Sequence, residues 1–507
     1  MKSYDLIVIG SGPAGERGAA LAAELGVSVA MIEREVVPGG AGVNTGTVPS
    51  KTLRESALHL SGFRQRGLHG VDMSMRPNIT VSDFMQRKRE VVEKEWDLIE
   101  ENMRWHNIDR YRGHARFASP HEVVVDTSGY DMTLHGEVIL IATGSSPYRS
   151  PEVPFDDVSI CDSDTILNLD CIPKTMAVVG AGVIGCEYAS IFAALGIDVT
   201  LIDGRTELLS NVDREIVDVL MRQMRNRLRI QLQTGQDVES LACEDAVIKV
   251  KLKSGREIMV EKVLYAAGRQ SNTADLGLDE VGVVTGKRGI LPVNENYQTN
   301  VPHIYAAGDV IGFPALASTS MEQARVAMVC AFDLKHKTKL AALLPYGIYT
   351  IPEISMIGET EEQCLEKGVD YEVGRAYYRN TIRGQIMGDT AGMIKIVFVP
   401  GQKEKERRLL GIHIIGDDAA ELIHVGMMVM QLGGTLSAFT QSVFNIPTLG
   451  DIYKQAAYDG LSRLKRRQRQ KDLVLSQATS MARRFARRQR EKQNQQAAEE
   501  NETPAVP

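Results

Sequence analysis

Short apolar runs and helical spacings alternate in one order, twice. Residues 4–10 form a β-rich run ending in glycine, residues 13–25 carry Ala and Leu at helical intervals, and residues 27–33 close a strand–helix–strand unit. The pattern returns at residues 176–180, 183–195 and 199–203. Between the copies lie a polar, helix-prone stretch over 82–106, with Glu and Lys at i,i+4 spacing, and an alternating strand region over 115–143. Further strand patterns run to residue 265, and an amphipathic helix is expected over 318–334. From residue 345 longer alternating strands appear (393–399, 409–415), interleaved with a helix-like run over 419–432.

This pattern predicts an α/β chain with two Rossmann-like dinucleotide-binding domains and a C-terminal α+β domain. The expected divisions are 1–155 and 156–275 for the two units, 276–344 for a return to the first, 345–460 for the α+β domain, and 461–507 for a tail. At 507 residues the chain exceeds what one core supports. No run approaches the roughly 18 apolar residues of a membrane span, and no charged leader opens the sequence, so a cytoplasmic location is the simplest expectation. Six cysteines without metal-like spacing argue against a disulfide scaffold or a zinc site.

Each unit carries chemistry at its strand-to-helix turn. The first reads Gly10-Ser11-Gly12-Pro13-Ala14-Gly15, with Glu33 ending the second strand; the other reads Gly180-Ala181-Gly182-Val183-Ile184-Gly185, with Asp203 in the equivalent place. Glycines let the backbone approach a pyrophosphate, the helix N-terminus favours its charge, and the acid accepts from ribose hydroxyls. Two nucleotide sites in one chain suggest redox chemistry between carriers, for which a flavin is the natural intermediary. Asp203 favours the ribose diol of NAD(H), whereas Arg205 is placed either to pair with the 2′-phosphate of NADP(H) or to stand as a solvated loop charge.

Three further motifs carry a family resemblance. Ala142-Thr143-Gly144-Ser145-Ser146-Pro147 and Ala266-Ala267-Gly268-Arg269 resemble the crossover turns of the FAD-dependent pyridine nucleotide-disulfide oxidoreductases, and Tyr305-Ala306-Ala307-Gly308-Asp309 resembles their second flavin motif. The resemblance covers about residues 4–460. It implies an FAD domain, an NAD(P) domain and a dimerisation domain, with Asp309 on the ribityl chain, and a homodimer or larger homo-oligomer. It also places Lys51 beside the flavin N5 with Glu187 facing it, where a lysine would stabilise negative charge on reduced flavin. Without the resemblance, both would read as helix-surface charges.

Disulfide-reducing members carry two cysteines where this chain has Gly42 and Thr47, within the segment from Gly39 to Lys51. Their catalytic His is replaced by Ile446 in Phe444-Asn445-Ile446-Pro447-Thr448. A flavin here would have no dithiol to reduce. Within the family the chain most resembles the soluble pyridine nucleotide transhydrogenases, although those retain a cysteine at the position of Gly42. This resemblance implies hydride transfer between NADPH and NAD⁺ through FAD. The rivals are a diaphorase or quinone reductase of the same fold and a non-catalytic nucleotide-binding interaction protein. No metal is expected.

The formal charge of −7 hides an asymmetry. Residues 461–507 hold 12 Lys/Arg and 5 Asp/Glu, giving a tail of +7 on a body of −14. A helix ending in a disordered acidic stretch is expected there, either solvated and touching its own acidic body or meeting RNA, anionic lipid or an acidic partner. His413 and His424 read as core or surface residues, and Cys186 as a small buried apolar residue.

Overall fold

The computed structural model describes residues 1–62, 80–127, 129–244, 247–334 and 339–501. In the first unit the strand Lys2–Ile9 pairs in parallel with Val29–Glu33 on one side and Asp131–Ile141 on the other. Leu6, Ile7 and Val8 are fully buried because helices or further strands cover both faces, which accounts for an apolar run rather than an alternating one. The sheet has seven strands; Asp109–Arg112 forms one edge, and the antiparallel pair His114–Ser119 and Glu122–Asp126 forms the other end. The strand Ile304–Ala306 returns to pair with Asp131–Ile141. The helix Pro13–Glu24 packs on the helix Ala317–Ala331 through small residues: a Cβ at Gly18 would stand 3.2 Å from the Ala324 Cβ.

The second unit repeats this on an all-parallel sheet in the order Gln231–Thr234, Asp198–Asp203, Thr175–Val179, Lys262–Tyr265, Ile160–Cys161. Its helix Val183–Ala194 is buried along most of its length. Two short strands, Ser145–Pro147 and Arg269–Ser271, pair antiparallel where the chain crosses between the units.

The C-terminal α+β region is a five-stranded antiparallel sheet in the order Tyr346–Ile348, Ile354–Gly358, Leu409–Ile415, Met393–Phe398, Glu372–Tyr377, with the helix Ala419–Gln431 against it. One apolar cluster runs from Leu53 and Ala57, through the core of the second unit, to Ile348, Ile351 and Met393. It thereby locks the helix Thr47–Leu60 beside the helix Val183–Ala194.

The expected boundary at residue 460 falls inside a helix. Ile452–Asn501 is continuous, and its start lies on the strand Glu372–Tyr377, where Gly374 lets the backbones meet at Ala456 and Gly460. The shift to basic composition marks where this helix leaves the body, not where it begins. The helix runs to Asn501, and 502–507, which belong to the end expected to be disordered, lie outside the described residues.

Candidate active site

The two glycine turns are near copies. Gly10 and Gly180 share a φ of 104°, in the region that favours glycine. A Cβ at Gly15 would overlap the Gly10 carbonyl oxygen, and one at Gly185 the Gly180 carbonyl, so the third glycine allows each helix to start tight against its strand. Gly12 and Gly182 are the N-cap residues, and neither helix has a side-chain cap. The free N–H groups of both first turns therefore suit a pyrophosphate. In the first turn Gly12 faces the bare backbone of Gly40, leaving a smooth wall.

The acids are held in matching fashion. Glu33, buried, accepts from the Ser11 N–H at 2.9 Å and the Ser11 hydroxyl at 2.6 Å, and its other oxygen accepts from the Glu35 N–H. Asp203 accepts from the Ala181 N–H at 2.5 Å and, through both oxygens, from the Arg205 guanidinium at 2.8 and 2.9 Å. Burial alone would raise the Asp203 pKa, but these hydrogen bonds and the Arg205 charge hold it below the ordinary aspartate value. Arg205 is thus neither free nor merely solvated: it forks onto the acid beside it.

A cleft of about 1210 Å³ joins the units. Gly10, Gly12, Glu33, Lys51, Gly144, Asp309 and Glu187 line it; Gly15 and Gly185 lie beneath the turns, while Gly180, Gly182, Asp203, Arg205 and Gly268 flank the second unit outside this lining. Asp309 accepts from the Ser145 hydroxyl at 2.9 Å, and Arg269 donates to that hydroxyl at 2.8 Å and to the Ser145 carbonyl at 2.6 Å. Lys51 Nζ meets Glu187 Oε2 at 2.8 Å, and the other Glu187 oxygen accepts from the Tyr349 N–H at 2.8 Å. The Tyr349 ring centre lies 5.0 Å from the lysine nitrogen. Glu187 is buried, so the surface-charge reading does not apply to it.

Sequence reasoning missed Ser11, Ser145 and Tyr349. Ser11 and Ser145 sit inside motifs already singled out, but neighbouring serines there look alike until the fold orients them. Tyr349 comes from the C-terminal region with no motif around it. His424 is exposed on the helix Ala419–Gln431 and lines the cleft, whereas His413 is fully buried. Cys186 is buried, and that burial pushes its thiol pKa far up, as befits a packing residue.

The space left by the missing thiols is partly filled. A Cβ at Gly42 would stand 2.8 Å from the Pro13 Cγ, and Thr47 opens the helix that carries Lys51. Ile446 is 64% exposed on the C-terminal region.

Two glycine turns, each with its own held acid and a lysine–glutamate pair in the cleft between the units, define an oxidoreductase that handles FAD and a nicotinamide nucleotide. The chain belongs to the pyridine nucleotide-disulphide oxidoreductase family: the family's model matches residues 4–328 and that of its dimerisation domain residues 344–457. It is similar to the soluble pyridine nucleotide transhydrogenase of Mycobacterium tuberculosis (strain ATCC 25177 / H37Ra), with 43% identity over 92% of this chain and 98% of that protein. The enzyme of the same name from Colwellia psychrerythraea is 40% identical over 91% and 98%. Among solved structures, the HOCl-induced flavoprotein disulfide reductase RclA from Escherichia coli is similar with a TM-score of 0.79 and 28% identity, covering 90% of this chain and 99% of that one.

Proposed function

We propose that the chain is a cytoplasmic homodimeric enzyme that moves hydride between NADPH and NAD⁺ by way of FAD. The observation that carries this reading is selective loss: Gly42, Thr47 and Ile446 stand where disulfide chemistry needs two thiols and an acid–base His, while both nucleotide turns and the Lys51–Glu187 pair are intact. Hydride exchange needs positioning and electrostatics but neither thiolate nor proton shuttle.

FAD supplies the centre that takes hydride from one nicotinamide and returns it to another. Gly10, Gly12 and Gly15 shape the turn that receives its pyrophosphate, Glu33 accepts from its ribose, and Asp309, fixed by Ser145, binds the ribityl chain beside Gly144. Lys51 is the catalytic cation; Glu187 holds it in the cleft wall, so negative charge developing there is met without side-chain reorganisation. Gly180, Gly182 and Gly185 receive the nicotinamide nucleotide next to the crossover at Gly268. Asp203 serves the ribose of NAD(H), and Arg205 turns from Asp203 to the 2′-phosphate of NADP(H).

The test uses purified protein under anaerobic conditions, with NADPH and thio-NAD⁺ added together and reduced thio-NAD followed by absorbance. FAD-dependent turnover supports the reading. Loss of the flavin's visible absorbance without turnover would replace it with a quinone reductase or diaphorase, and an unchanged flavin with a non-catalytic binding role.

A further inference from the structure

The C-terminal helix leaves the body at Arg467, which reaches Asp370 Oδ1 at 2.5 Å and the Tyr371 carbonyl at 2.9 Å. From Lys471 to Gln495 every residue is exposed, a free arm of roughly 37 Å. Along it Val474, Ala478, Met481 and Phe485 follow one another at spacings of four, three and four, with Leu475 and Ala482 alongside. Val474, Leu475, Met481 and Phe485 are 64–72% exposed, apart from the body. Arg483 and Arg487 occupy the opposite face, where Leu473 also lies, and Arg484 flanks the stripe. Lys471 and Arg488 continue the apolar line at its two ends. Among the described residues, the one ion pair along this arm is Arg487 with Glu491.

We infer that this arm is an in-plane anchor that lays its apolar stripe into the surface of an anionic lipid bilayer. An apolar stripe bounded by cations at both ends and backed by arginines is what the headgroup boundary selects: the stripe enters the acyl edge while the cations meet lipid phosphates. Pairing with the arm of a second copy fits worse. It would stack Lys471 and Arg488 on their counterparts at the seam, and the stripe covers fewer than the three or four heptads a coiled coil sustains. A nucleic acid would engage the arginines but leave Met481 and Phe485 in water. The body's net charge of −14 opposes an anionic surface, yet at physiological salt only the part of the body within about 8 Å of the membrane feels that repulsion, while the arm's own cations lie directly on the headgroups.

The test uses the full-length FAD-loaded enzyme and sedimentation with vesicles of phosphatidylcholine alone or equimolar with phosphatidylglycerol. Binding to the anionic vesicles only, weakened by salt, is expected. The double variant Met481→Ser/Phe485→Ser should bind about tenfold less or worse, with flavin content and hydride transfer unchanged. Phe485→Trp should add an emission component that shifts to the blue with anionic vesicles. Absence of binding would overturn the proposal, as would binding that the double serine variant leaves intact. Retention of poly(U) in place of vesicles would assign the arm to RNA, and concentration-dependent association lost in the double variant would assign it to a second copy; either replaces the lipid surface.

Discussion

Lys51 Nζ lies 2.8 Å from Glu187 Oε2, although the two residues stand 136 positions apart on helices of different units. The contact holds because the apolar cluster behind it spans both helices, and because the Tyr349 N–H occupies the second glutamate oxygen. Glu187→Gln keeps the shape and removes the charge. A hydrogen bond between charged groups contributes about 1.5–3 kcal/mol, so the rate at which NADPH removes the flavin's visible absorbance should fall about ten- to hundredfold. Lys51→Met should lose at least as much. Stopped-flow mixing under anaerobic conditions checks both, and an unchanged rate would leave the pair a structural tie.

Arg205 and Asp203 form a second relationship that the two coenzymes should break in opposite ways. With Arg205→Ala, the KM for NADPH should rise about tenfold, the size of a lost charge-assisted contact to phosphate, while the KM for NADH stays level or falls because Asp203 is released. Asp203→Asn should raise the KM for NADH. Steady-state kinetics with each coenzyme decide the matter; equal effects of Arg205→Ala on both would show that the guanidinium only shapes the loop.

Motif spacing made both turns, their acids and the order of the units legible, because glycine geometry and helix N-termini tie local sequence directly to a ligand shape. The helix over 82–106 appears as Val81–Trp105, capped by Thr80 with Asp83, because polar spacing and a capping box are also local. Contacts outside the motifs were not legible, whereas the Lys51–Glu187 pair, 136 positions apart, was reached only through the family resemblance. The partner of Arg205 depends on a loop turning back by two residues, and Tyr349 reaches the site from a sheet whose strands are set by long-range pairing. The tail read as a separate segment because composition changes at residue 461, whereas the helix is continuous through that point.

Gly42 is a position where restoring the residue of related enzymes should do harm. The Cβ of Gly42→Cys would stand 2.8 Å from the Pro13 ring, which is pinned at the first turn of the nucleotide-binding helix. Overpacking of this kind costs about 1–3 kcal/mol. The variant should melt a few degrees lower and hold FAD less tightly, as followed by calorimetry and by flavin release on dilution. Adding Thr47→Cys should yield no disulfide reductase activity, since Ile446 provides no acid–base group. Unchanged melting would mean that Pro13 yields freely.

Lys395 anchors the second unit to the C-terminal sheet from a fully buried position. Its ammonium meets Asp213 Oδ2 at 2.8 Å and Glu215 Oε2 at 3.2 Å and also bonds Glu361, while Arg375 spans the last two carboxylates. Burial pushes the Asp213 pKa up, but the charges of His413, when protonated, and Lys395 bring it below the ordinary aspartate value. The stabilisation from Asp213 is therefore present at neutral pH and lost only as the pH falls through that depressed value. Lys395→Met leaves the Asp213 carboxylate buried without its cation, a loss of about 3–5 kcal/mol. With Lys395 gone, burial is left to push the Asp213 pKa in the folded variant above that of the unfolded chain, which reverses the sign: protonation of Asp213 restores stability as the pH falls. The gap in melting temperature between wild type and Lys395→Met should accordingly be wide at about pH 7 and narrower at about pH 5. A gap of the same width at both pH values would show that Lys395 contributes through packing rather than through charge.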